Sequence, residues 1–265
     1  GAEAAALARG RPFEGLLTLA EGQALGGRLD ARGLSNALLA AARLQRLCGS
    51  SEQLARLADA CAGPFAAQAD VANAQDLANA AWAAAKLRIG KGDKDGSFLE
   101  TVVGASASCL RDFTPQGLSN LLWALASSSA RIAPHLLNEL ADEAVATVDG
   151  CTPQGLSNLA WASAVLDLGS TELLPAVARE ASQRLEGFSP QGLANLAWAL
   201  ASAQVVEASL LRKLGRLALT KAGRFRPQEL ANLAWGLAKL GADDIDPLLH
   251  ALATAALPQL RAFKP

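Results

Sequence analysis

The stretch FTPQGLSNLLWALA, residues 113–126, contains a complete helix start. Thr114 can cap free backbone N–H groups with its side-chain oxygen, and Pro115 follows at the first helical position, where a missing N–H leaves nothing unsatisfied. The string returns as FSPQGLANLAWALA over residues 188–201 and as FRPQELANLAWGLA over residues 225–238. A capped helix that recurs at a fixed interval is the mark of a repeat architecture.

Aligned on its asparagine, the string occurs six times, at Asn36, Asn79, Asn120, Asn158, Asn195 and Asn232, with intervals of 43, 41, 38, 37 and 37. With that Asn as position zero, plus three is Trp82, Trp123, Trp161, Trp198 or Trp235, and Leu39 in the first repeat. Every Trp of the chain therefore occupies one slot. Minus four is Gln75, Gln116, Gln154, Gln191 or Gln228, with Arg32 in the first repeat, and minus two is always Leu. Minus six supplies the caps Asp30, Asn73, Thr114, Thr152 and Ser189, with Arg226 the exception.

Each first helix is expected to run about fourteen residues from its cap, with a second helix after a short break, as over 132–148, 172–185, 206–221 and 245–261. The expected fold is all-α: an α-solenoid of about six stacked helix-turn-helix repeats of 37–43 residues, forming one array over 1–265. The repeats fall near 29–71, 72–112, 113–150, 151–187, 188–224 and 225–262. LRAFKP, residues 260–265, reads as the opening of a further repeat cut short. Gly63-Pro64 and KGDKDG, residues 91–96, read as turn-forming insertions between helices. KGDKDG lacks the bidentate Glu of a calcium loop, because Gly104 stands in its place.

Composition agrees with closely packed helices: 51% of residues are apolar, and Tyr and Met are absent. The formal net charge of -1 gives the chain no overall positive field for a polyanion. Cys48, Cys61, Cys109 and Cys151 form no C-x-x-C pair and read as small buried hydrophobes. With His135 and His250 the only histidines, no metal and no cofactor is expected. The uncharged run at residues 187–206 is a buried repeat helix and not a membrane span, since the same string recurs with its Pro, Gln, Asn and Ser. No signal pattern opens the sequence.

The three strings quoted above resemble the octotricopeptide repeats and the related helical repeats that precede RAP domains. The interval of 37 or 38 fits that family and not the tetratricopeptide period of 34. The resemblance implies an RNA-binding factor of a mitochondrion or chloroplast, acting in RNA maturation, stability, translation or ribosome assembly on single-stranded RNA or rRNA. No RAP domain is visible in the sequence.

On a helical wheel the Leu at minus two and the residues at plus one, plus five and plus eight share the arc that packs on the second helix. Gln, Asn, Trp and plus seven (Arg43, Lys86, Ser127, Val165, Ser202 and Lys239) share a separate stripe. Such a ladder can offer amides to base edges and indoles for stacking. Scaffold roles explain the invariant Trp and Asn better, with Trp filling the space between repeats, so that Trp161→Ala would cost about 3 to 5 kcal/mol. The Gln ladder fits either role. Plus seven and minus three (Gly33, Asp76, Gly117, Gly155, Gly192 and Glu229) vary, as a sequence-reading position should.

Phosphates would be held by the basic cluster Arg212, Lys213, Arg216, Lys221, Arg224 and Arg226, by Arg28, Arg32, Arg43, Arg46 and Arg56 in the first repeat, and by Lys86 and Lys239 on the stripe. A solvated helical face is the plainer account of such runs. No phosphate loop, nucleophile elbow or recurring carboxylate pair is present, so neither catalysis nor a small-molecule substrate is expected. Two functions stay open: an RNA-binding solenoid, and a protein-binding or structural scaffold within a larger assembly.

Overall fold

The local rules set out above are obeyed in a computed structural model of the chain, which describes residues 11–49, 51–89, 97–128, 130–169, 171–241 and 245–258. Among the described residues there is no strand. First helices are α2 (Ala31–Cys48), α4 (Ala74–Leu87), α6 (Pro115–Ala126), α8 (Pro153–Val165), α10 (Pro190–Ser202) and α12 (Pro227–Lys239). Second helices are α3 (Glu52–Ala66), α5 (Ser97–Ser106), α7 (Pro134–Ala146), α9 (Leu173–Arg184), α11 (Ala208–Lys221) and α13 (Ile245–Ala256), and α1 (Arg11–Leu25) precedes them all.

The caps sit where the sequence puts them. Asp30, Asn73, Thr114, Thr152 and Ser189 each accept from the backbone N–H three residues on, at 2.8 to 3.1 Å. Arg226 has no oxygen to offer, and the start of α12 is closed from the other side: the Arg226 N–H donates to the Glu229 carboxylate at 2.7 Å. A short 3-10 turn leads into most first helices, as at Ala69–Val71, Val148–Gly150, Leu185–Gly187 and Ala222–Arg224. After it Phe113, Cys151, Phe188 or Phe225 is buried.

Two expectations change. Gly63-Pro64 is no break, because α3 runs through it to Ala66. Pro64 lies in the last turn, where few backbone bonds remain to be lost. α1 is the second missed element: it packs against α3 as a second helix does, but it has no first-helix string from which to be aligned. The segments at 91–96 and 260–265 lie outside the described residues.

The chain groups into two compact bodies, 1–137 and 138–265. In the first body α2, α4 and α6 lie side by side, as do α1, α3 and α5, and α2 and α4 each rest on their own second helix. In the second body α8, α10 and α12 form one layer and α9, α11 and α13 the other. The leucines at minus two, Leu34, Leu77, Leu118, Leu156, Leu193 and Leu230, are all buried between layers. Each contributes about 1.5 to 3 kcal/mol relative to exposure.

Neighbouring first helices touch through small residues. Position minus three of one helix meets minus one of the helix before it. A Cβ on Gly117 would stand 3.5 Å from that of Ala78, and one on Gly192 would stand 3.6 Å from that of Ser157. Where Asp76 occupies this slot it is buried, and it accepts the Ser35 hydroxyl at 2.8 Å.

Further along, a Cβ on Gly236 would fall 2.7 Å from the Ala197 carbonyl oxygen, a backbone atom that cannot step aside. Gly236→Ala would gain about 1 kcal/mol in helix propensity and lose about 1 to 3 in overpacking. The clash is expected to prevail, with a net loss of up to about 2 kcal/mol and a lower melting temperature. An unchanged or raised melting temperature would mean that α10 and α12 separate without penalty.

Candidate nucleic-acid interface

The contacts that bury minus two and minus three leave one side of each first helix facing away from both layers. That side carries the stripe. Gln75, Gln116, Gln154, Gln191 and Gln228 are all exposed. Gln75 and Gln116 each donate an amide N–H to the side-chain oxygen of the Asn four residues on, at 2.9 and 3.0 Å, a bond that does not use the Gln carbonyl oxygen.

The tryptophans are not buried filler, contrary to expectation. Trp82, Trp123, Trp161 and Trp198 are half-buried, and Trp235 is 45% exposed. Glycine, alanine and serine already close the gap between adjacent first helices, so no space remains there for an indole. Each ring is therefore only partly covered. Trp198→Ala is therefore expected to cost about 1 to 2 kcal/mol, well below the 3 to 5 of a fully buried indole, as read by chemical unfolding. A loss at the buried value would return the ring to the core.

Position minus three is corrected as well. Asp76, Gly117 and Gly192 pack on the preceding helix, and they and Gly155 are buried out of reach of a ligand, while Gly33 and Glu229 are half-buried. Plus seven remains on the surface, where its cations meet indoles. The Lys86 ammonium lies 4.1 Å from the centre of the Trp123 ring and 5.7 Å from that of Trp82. Lys239 lies 4.9 Å from that of Trp235. Burial, and then the nearby charge of Arg46, lowers the Lys86 pKa.

Arg43, Arg46, Lys86 and Arg88 are exposed at the C-terminal ends of α2 and α4, and none of the ion pairs among the described residues involves them. Concentrated positive charge beside indole faces suits a chain of phosphates with bases between them.

The other basic residues divide. Lys221 donates to the Glu186 and Phe188 carbonyls at 3.0 and 2.9 Å. Arg184 and Gln68 hold the matching place in their repeats and reach back likewise, to the carbonyls of Asp149 and Leu29. This stitch between repeats is a structural duty. Lys213 donates to Ser182 on α9, and Arg56 pairs with Glu21 and Glu52. Arg212, Arg216, Arg224 and Arg226 are exposed on or just after α11, in or beside the second-helix layer and apart from the stripe.

No group of three metal-binding side chains occurs among the described residues, and no helix there is long and apolar enough to cross a membrane. Cys61 and Cys151 are buried, and burial pushes each thiol up to about 11. At pH 8 about one in a thousand is thiolate. Both should resist alkylation in the native chain and react on unfolding, with half-buried Cys109 labelled before them. Rapid native labelling of Cys61 would contradict the packing of α3. Compared with known proteins, the chain matches no family model and no curated protein.

Proposed function

We propose that this chain is an α-solenoid that binds single-stranded RNA along the outward faces of its first helices. The observation that carries the reading is the Lys86 ammonium set against the rings of Trp82 and Trp123, from consecutive repeats, with Arg43, Arg46 and Arg88 exposed and in none of the ion pairs among the described residues. Phosphates are held by these four cations, bases stack on the indoles, and the Gln ladder offers amide oxygens to base edges. The repeat strings' likeness to octotricopeptide repeats favours a role in organellar RNA maturation, stability, translation or ribosome assembly.

A second reading, a protein-binding scaffold, draws on α1, where Leu16, Leu19 and Leu25 are 62%, 59% and 68% exposed. Salt separates the two. Titration of tryptophan fluorescence with a single-stranded oligoribonucleotide should show quenching and an affinity that falls steeply with salt. Arg43→Ala with Arg46→Ala should reduce the log–log slope by about 1.4, at roughly 0.7 per phosphate contact. An affinity indifferent to salt, or no quenching, favours the scaffold.

A further inference from the structure

The first helices of four repeats end in the same way, with the residue at plus nine in the left-handed region: Arg88 at φ 60°, Asp167 at 53°, Gln204 at 56° and Gly241 at 63°. After three of them the next N–H reaches back to close the helix, Ile89 to Ala84, Leu168 to Ser163 and Val205 to Leu200, at 2.9 to 3.0 Å. Glycine is the ordinary residue for such an end. Three repeats keep a long or charged side chain there against the strain. Unlike the invariant Asn and Trp, this residue differs from repeat to repeat.

Between the ends of α8 and α10 the plus-nine residues meet a cavity of about 270 Å³, lined by Ser163, Asp167, Gly169, Ser202 and Gln204 with Ala164 and Ala203. It opens where the packing arc is short of a side chain. Position plus five is Leu125, Leu200 or Leu237 in three other repeats and Ala41 or Ala84 in the first two, and here it is the smaller-than-leucine Ser163, itself 2% exposed. The side chains of Ser163, Asp167, Ser202 and Gln204 make no hydrogen bond among the described residues. Two helix C-termini and one carboxylate make the cavity electronegative, so it favours a ligand edge rich in N–H donors. Ser202 is also the plus-seven member of the stripe, which makes the cavity continuous with the face that carries the indoles.

We propose that this cavity reads a single guanine of a bound RNA strand, with Asp167 accepting from the base's N1–H and N2–H while Gln204 and the serine hydroxyls serve O6. The inference rests on the RNA-binding reading above. Guanine alone among the four bases presents two adjacent donors on its pairing edge. Adenine and cytosine set a ring-nitrogen acceptor against the carboxylate, and uracil flanks its one N–H with two carbonyls. The volume suits one planar base and lies below the range of pockets for drug-sized ligands.

The test is fluorescence anisotropy of the full chain with labelled oligoadenylates of about twelve nucleotides, with and without one central guanine. The guanine oligomer should bind about tenfold tighter, as expected of one good bidentate pair. Inosine in its place, which lacks the N2 amine, should lose most of that gain. Asp167→Asn is isosteric and tolerates the left-handed backbone, and it should bring the ratio to about one. Ser163→Leu supplies the side chain that three other repeats carry there, and it should do the same without lowering the melting temperature. Affinity for the plain oligoadenylate should be unchanged in both variants.

Equal binding of both oligomers by the unaltered chain overturns the inference and leaves RNA binding standing. So does a guanine preference that survives Asp167→Asn. No binding of any oligomer overturns the RNA reading and this inference together. An oligoarginine peptide bound through Asp167, with no guanine preference, reassigns the cavity to a protein partner and overturns the proposal.

Discussion

Everything on the outward face depends on how closely neighbouring first helices approach. Gly236 lies against the Ala197 carbonyl with no room for a methyl group, and Gly117 and Gly192 meet small side chains of the helix before them. At that separation only glycine, alanine, serine or one hydrogen-bonded aspartate fits between the axes, as Asp76 with Ser35 demonstrates. Large side chains are driven elsewhere: leucines inward to the second layer, and indoles and amides outward.

The exposed indoles follow from that constraint. A tryptophan in five of six repeats reads first as core, since it is the largest apolar residue available. With the gap between helices already filled, its ring is left partly exposed, where a lysine of its own or a neighbouring repeat can meet it. Lys86 does so for two repeats and Lys239 for one. Ser127, Val165 and Ser202 hold the same slot in the three intervening repeats and bring no charge to it. Position plus seven thus carries a cation in some repeats and none in others.

A second regularity joins successive repeats from behind. Gln68, Arg184 and Lys221, each eleven residues before the repeat's Asn, donate to main-chain carbonyls of the turn before them. This gives turn carbonyls side-chain partners, and it explains why a cluster of cations on and after α11 is not all available to a ligand. Charge counted along a sequence includes such stitches, and only the fold separates them from free charge.

The sequence by itself determined the helices and their starts. Caps at minus six, prolines after them and leucines at minus two are local signals, each acting within one or two turns of backbone, and five of six caps bond as their residue types require. It also placed Gln, Asn, Trp and plus seven on one stripe, because that follows from 100° per residue. Which way the stripe faces was not legible, since a helix wheel gives angles and not neighbours. The burial of minus three, the partial exposure of the indoles, the duty of Lys221 and the cavity beside Ser163 were decided by the tertiary structure. Each depends on a residue some 35 to 40 positions away along the chain, brought near only when one repeat packs on the next.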